Sequence, residues 1–183
     1  PDLIKIAILH YQFESIHPFL DGNGRIGRLI VPLYIQSKGM LQKSCLYISD
    51  YIERNKDTYY DMLTRVRTRN DMIGWIKFFL EAVIETSKIA KEKFRKVVKL
   101  TMEMDKIVFE LSVRSDNAKK VIDALYDEPV INRKKLCELT NIKESTIKNI
   151  INCFLDNNII VETTGYSRNQ IFTFKKYTDL FLK

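Results

Sequence analysis

The sequence predicts a mainly α protein: a helical core over residues 1–113 followed by a small winged-helix domain with a β-hairpin wing over 114–183. Three observations point there. The first hundred or so residues carry apolar side chains at helical spacing, punctuated by proline, glycine and an Asn–Asp break. After "RSDNAKK" (114–120) the composition shifts to three short helical stretches. Two β-rich stretches then close the chain, joined by a polar tip.

Taken in order, "LIKIAILHYQF" (3–13) is almost uniformly apolar, as a helix buried on most sides would be. Pro18 ends it, because the residue before a proline is pushed away from helical geometry. A second helix is expected from Arg25 to about Lys38, bent at Pro32 and stopped by Gly39. Asp50 with Glu53 three residues on has the form of a capping box, opening a helix through "YIERNKDTYYDMLTRV". The chain breaks near Asn70 and Asp71, then runs helical through "MIGWIKFFLEAVIETSKIAKEKF", a long helix linking the two parts. In "KIAKEKFRKVVK" (88–99) six residues of twelve are basic, with Ala90, Phe94, Val97 and Val98 at helical spacing among them. This is the wet face of an amphipathic helix, and no function is assigned to it. "VIDALYDEP", "RKKLCEL" and "STIKNIINCFLDNN" are the three later helices; "IIVETTG" and "IFTFK" are the hairpin strands around "YSRNQ". That order is a winged helix with 143–156 in the recognition position.

At 183 residues, 45% hydrophobic and 29% charged, the chain has the make-up of an ordinary globular protein of one or two domains. No apolar run approaches the ~20 residues needed to span a bilayer, and no basic-then-apolar leader is present. A cytoplasmic location without membrane attachment is the expectation. Cys45, Cys137 and Cys153 are odd in number and without metal-ligand spacing, so they read as reduced thiols. The net charge of +7 is compatible with nucleic acid or phosphate partners and equally with solvated helix faces.

The chemistry is concentrated in "HPFLDGNGRIGR" (17–28), which holds three of the chain's six glycines. Gly22, Asn23 and Gly24 immediately precede a helix whose first turn carries Arg25 and Arg28. Successive amides in such a turn form a concave anion site, and the helix N-terminus adds positive field. Asn23 tolerates left-handed geometry and its amide can donate to a phosphate oxygen. The two arginines, three residues apart, offer planar forks for phosphate. Asp21 fits as a ligand for a magnesium ion bridging those phosphates. His17 is a candidate general base, a histidine's ordinary pKa near ~6.5 leaving it mostly neutral at pH 7. Alone, "DGNG" would be a tight turn, but a structural turn needs neither the histidine nor both arginines. His10 reads as a hydrogen-bonded core residue, and Phe19 as a buried anchor for the loop.

Residues 17–28 match the motif H-P-F-x-D-G-N-G-R-x-x-R at all nine specified positions, and on this the chain resembles the Fic family. "QFESIHPF", "ERNKDTYYDML", "WIKFFLEAV" and the tail "NNIIVETTGYSRNQIFTF" are similar to Fic proteins with a C-terminal winged helix. The resemblance implies a Fic-type helical core and a protein adenylyltransferase, moving AMP from ATP with Mg2+ to a hydroxyl of a protein side chain. It implies that His17 deprotonates that hydroxyl and Asp21 holds magnesium. Gly22, Asn23, Gly24 and Arg25, with Ile26 and Gly27 in the same turn, would cradle the nucleotide phosphates, and Arg28 would hold the terminal one. Asn55 falls where the family contacts the nucleoside, with Tyr59 and Tyr60 as neighbours of similar claim. Gly24 stands where the kinase-like Doc branch has lysine, which implies transfer of AMP rather than phosphate. The motif is preceded by one helix, so residues 1–183 are expected to be the C-terminal portion of a longer protein. The inhibitory pattern [S/T]-x-x-x-E-[G/N] finds its nearest match in "TNIKES" (140–145), which fails at the last position; an inhibitory glutamate is therefore expected upstream of residue 1. The partners implied are a protein carrying the target hydroxyl, which can be the chain itself, and a second copy in a homodimer. An alternative function is a DNA-binding regulator using the winged helix with the Fic part as nucleotide sensor. Lys143, Lys148, Asn149, Asn152 and Arg168 suit that, but Glu144 and Asp156 dilute the charge, which favours protein contact or dimerisation over DNA.

Overall fold

The computed structural model describes residues 1–43, 46–111 and 115–182. Cys45 and the 113/114 boundary lie outside the described residues. The chain forms two compact units, Pro1–Glu92 and Lys93–Lys183, and is mainly α with one small antiparallel sheet.

The first unit contains α1 (Asp2–Ile16), α2 (Asn23–Ser37), α3 (Ile48–Arg54), α4 (Lys56–Arg69) and the start of α5 (Met72–Glu110). α1 ends one residue before Pro18, at His17, whose φ of 51° is left-handed and whose N–H donates to Phe13 O. α2 passes through the buried Pro32 and ends before Gly39, φ 67°. The helix expected to open at Asp50 begins instead at Ile48, with no side-chain cap. Asp50 lies inside that first turn, paired with Arg54 at 3.3 Å. The same run is divided at Asn55, whose φ of −119° is not helical, so it makes two helices. The break at Asn70 and Asp71 is built as expected: Asn70 is left-handed, and Asp71 Oδ1 accepts the Gly74 N–H at 2.9 Å.

Trp75, wholly buried, centres the first core among Ile6, Ala7, Val31, Ile52, Tyr59 and Phe79. Its indole N–H donates to Ala7 O at 2.8 Å, satisfying the one polar atom such a side chain takes inside. Of the four apolar residues in the basic run, Ala90 and Val97 are half-buried while Phe94 and Val98 stay exposed.

The second unit contains the rest of α5, α6 (Ser115–Asp127), β1 (Val130–Asn132), α7 (Arg133–Thr140), α8 (Glu144–Asp156), β2 (Val161–Glu162), β3 (Ile171–Thr173) and α9 (Lys175–Thr178). The hairpin expected from the sequence is a three-stranded sheet of order β1-β3-β2, because the short run after Pro129 adds to its edge. Ile131 faces Phe172 across the β1–β3 pair and both are buried. Asn132 then caps α7, its Oδ1 accepting Lys135 N–H at 2.9 Å. Ile147, Ile150, Ile151 and Phe154 on one face of α8 fill a core shared with Leu100, Met104, Ile122 and Leu125.

A loop that presents amides and two guanidinium groups

The segment from His17 to Asp21 is exposed, and Leu20 is fully so. Its shape comes from Asn23, only 2% exposed, whose Oδ1 accepts Phe19 N–H at 2.9 Å and whose Nδ2 donates to Phe19 O at 2.5 Å. What anchors the loop is thus the main chain of Phe19. The expected burial of its ring does not hold, since Phe19 is 50% exposed, its ring centre 6.3 Å from that of Phe13.

Gly22 takes φ 82°, which a glycine adopts without strain, and turns the chain into α2. Ile26 N–H is bonded back to Gly22 O at 3.0 Å. The amides of Asn23, Gly24 and Arg25, at the start of α2, precede any intrahelical acceptor and point out of its end. The two arginines fold back over this turn. A Cβ at Gly24 would stand 3.3 Å from Arg28 Nη1, and one at Gly22 3.5 Å from Arg25 Nη2. Amides and guanidinium groups therefore converge on one helix end, where the dipole also favours an anion.

Asp21 is the acid of this corner. Its Oδ1 accepts Gly22 N–H at 2.6 Å, and its Oδ2 lies 3.5 Å from Arg25 Nη2. Both side chains are largely exposed, so the pair holds neither strongly. Among the described residues no group of three or more His, Cys, Asp or Glu could hold a metal ion by itself. A single exposed carboxylate suits magnesium only in company with waters and phosphate oxygens.

Behind the loop, His10 joins three helices. Its Nδ1–H donates to Gly27 O on α2 at 2.9 Å, and Nε2 accepts the Tyr59 hydroxyl of α4 at 3.1 Å. A carbonyl can only accept, so this pairing describes one neutral tautomer. Burial lowers the His10 pKa to about 4; the Gly27 hydrogen bond opposes it in part, and the Arg28 charge adds a lesser lowering. Burial likewise pushes the Tyr59 hydroxyl well above its ordinary range. His10 is the hydrogen-bonded core residue its surroundings implied.

Gly27 is buried at the α1–α2 contact, where a Cβ would run into the Glu14 carboxylate and stand 3.2 Å from Phe13 Cδ1. Ile26 is half-buried beside it. Glu14 was not singled out by the sequence. Its Oε1 is buried without a hydrogen-bond partner. Burial raises its pKa, against the lowering charges of His17 and Arg28. Its place three residues before His17 was the available signal. Asn55 sits at the α3–α4 junction, its Nδ2 donating to Tyr51 O at 2.9 Å. Among the described residues no hydrogen bond joins it to the loop; α4 reaches the loop's support through Tyr59, one turn on, while Tyr60 is exposed.

Residues 1–35, which hold the whole loop, match the model of the Fic/DOC family. A probable protein adenylyltransferase of Aquifex aeolicus (strain VF5) is 36% identical over 63 residues, covering 34% of this chain and 17% of that protein. The protein adenylyltransferase Fic of Aedes aegypti is 30% identical over 84 residues, covering 44% of this chain and 15% of its own length. A Fido domain-containing protein of Dictyostelium discoideum is 36% identical, covering 32% of this chain and 48% of that protein. The chain thus spans under a fifth of the two adenylyltransferases and about half of the third relative. Over its first 35 residues, and on the motif they carry, the chain is similar to the Fic/DOC family.

Proposed function

We propose that the first unit binds ATP at the start of α2 and transfers AMP to a hydroxyl of a protein side chain. The observation that carries this reading is the convergence of the Asn23, Gly24 and Arg25 amides with the Arg25 and Arg28 guanidinium groups on one helix end. Such an array neutralises a polyphosphate without covalent chemistry, which is what phosphoryl and nucleotidyl transfer require. Gly24 leaves the backbone open to the phosphates where a longer side chain would fill the turn. Arg28 takes the terminal phosphate, and Asn55 with the exposed Tyr60 is assigned to the nucleoside, while Tyr59, buried against His10, supports the loop from behind. Asp21 would hold a magnesium ion, which supplies charge neutralisation between the phosphates when bound.

The hydroxyl oxygen attacks the α-phosphorus, diphosphate leaves, and the hydroxyl proton passes to His17. His17 suits this because it is exposed beside the loop, held at the end of α1 by a left-handed turn. The protein relatives named adenylyltransferases support the same reaction class. The chain itself and other proteins are both candidate acceptors. The test is ATP labelled separately at the α- and γ-phosphates. The α label is expected on protein; γ label on protein with no α label would replace AMP transfer by phosphate transfer.

The second unit supports a winged-helix reading: helix, strand, two helices, then two strands with an exposed tip, α8 standing in the recognition position.

A further inference from the structure

We propose that the second unit reads duplex DNA, with α8 in the major groove, Asn149 and Asn152 contacting adenine, and the tip between β2 and β3 gripping phosphates. α8 buries one face, and the other presents Ser145, Lys148, Asn149 and Asn152 at i, i+3, i+4 and i+7, all exposed. No large apolar side chain of α8 is exposed. Protein-docking surfaces draw their affinity from aromatic and aliphatic anchors, and this helix offers none. It offers instead paired donors and acceptors. An asparagine amide matches the N6–H donor and N7 acceptor of adenine, and a lysine beside it reaches guanine or phosphate.

The charge is laid out for the same partner. From α7 onward, Lys135, Lys175 and Lys176 are paired with Glu128, Asp179 and Glu103. Lys134, Lys143, Lys148 and Arg168 make no ion pair among the described residues, and all four are exposed, on α7, just before α8, on α8 and on the tip. Arg133 Nη2 reaches Gln170 Oε1 at 3.5 Å, joining the start of α7 to the tip across a cleft of about 410 Å³ also lined by Lys134 and Arg168. The acids that dilute α8 stand at its two ends. Glu144 lies in the first turn, where it lines that cleft with Lys134 and Arg168, and Asp156 in the last, leaving the middle turns free of negative charge. Glu162 is occupied within the tip, accepting Thr164 and Gly165 N–H at 2.8 and 2.9 Å. Along α8 the charge that looks mixed in the sequence is sorted, with the acids at the two ends and Lys148 between them.

The experiment titrates the full chain into a fluorescent 30-base-pair duplex at several salt concentrations, then selects from a random duplex library. Binding is expected to weaken with salt at a slope of about −3 to −4, roughly one per unpaired cation. Lys148→Ala with Arg168→Ala should reduce that slope by about two. Asn149→Ala with Asn152→Ala should keep the slope and lower the preference for the selected site over random duplex by about tenfold or more. All four side chains are exposed, and an unchanged thermal melt confirms that each variant folds. Absence of duplex binding at low salt overturns the proposal. So does tighter binding of single-stranded RNA, or an asparagine variant that keeps the selected preference. None of these readings uses ATP, so they stand apart from the transfer reaction.

Discussion

His17 and Arg28 divide the work of the loop in a way that kinetics can separate. A general base acts in the transition state and contributes about 10²- to 10⁴-fold to rate with little effect on ground-state affinity. His17→Ala is therefore expected to lose AMP transfer by that factor while equilibrium ATP binding changes little. Arg28→Ala should weaken ATP binding itself, by about ten- to a hundredfold for one charge-assisted contact. A histidine variant with wild-type single-turnover labelling would remove His17 from the chemistry. Much of this corner was legible because its residues are contiguous: a turn, a helix start and two forks follow from "DGNGRIGR" by local geometry. The work of Asn23, closing the loop on Phe19, was not, because the same side chain is chemically able to donate to a phosphate. Nor was Glu14, whose surroundings depend on a neighbouring helix.

Where helices meet, α1, α2 and α4 are tied by contacts distant in sequence. Gly27→Ala would drive a methyl into Glu14 and Phe13, and about 1–3 kcal/mol of stability should go with it in urea melts. Adding Glu14→Ala should return most of that loss; an equal loss in the double variant would mean that the contact with Phe13 decides. His10 links stability to pH. It titrates near its ordinary 6.5 when unfolded and at about 4 when folded. The unfolded chain then takes up the proton first. Stability is whole above pH 6.5 and falls as the pH drops toward 4, by about 3 kcal/mol in all. Glu14, raised by burial, acts in the opposite sense as the pH climbs through the carboxylate range. Comparing melts of wild type and His10→Gln between pH 4.5 and 7 isolates the histidine, and equal slopes would contradict its assignment. Helix ends marked by Asn70 and Asn141 could be read from the sequence because left-handed caps favour that residue. The α3–α4 break could not, since nothing in "ERNKD" is a helix breaker. Three-residue β1 is too short for any periodicity and exists through its pairing with β3.

Across the molecule, the two cores share no residue, and the chain's single tryptophan, Trp75, belongs to the first. Unfolding is thus expected to depart from a single all-or-none step. Phe154→Ala, which empties a wholly buried position of the second core, should advance part of the far-ultraviolet circular dichroism transition. Tryptophan emission should keep its wild-type midpoint. Coincident shifts of both signals would instead mean that the cores unfold together.

The clasp between Asn23 and Phe19 has a consequence on the clock of deuterium uptake. Phe19 N–H lies in an exposed loop yet is bonded to a buried side chain, so it should exchange slowly. The amides of Gly24 and Arg25, a few residues on and less buried than Asn23, have no acceptor within α2 and should exchange fast in nucleotide-free protein. Mass spectrometry of peptides across 17–28 should therefore find slow and fast sites side by side. Added ATP should slow the second group and leave Phe19 as it was. Uniformly fast uptake through the loop would mean that the clasp opens in solution and that nucleotide, when present, has to shape its own site.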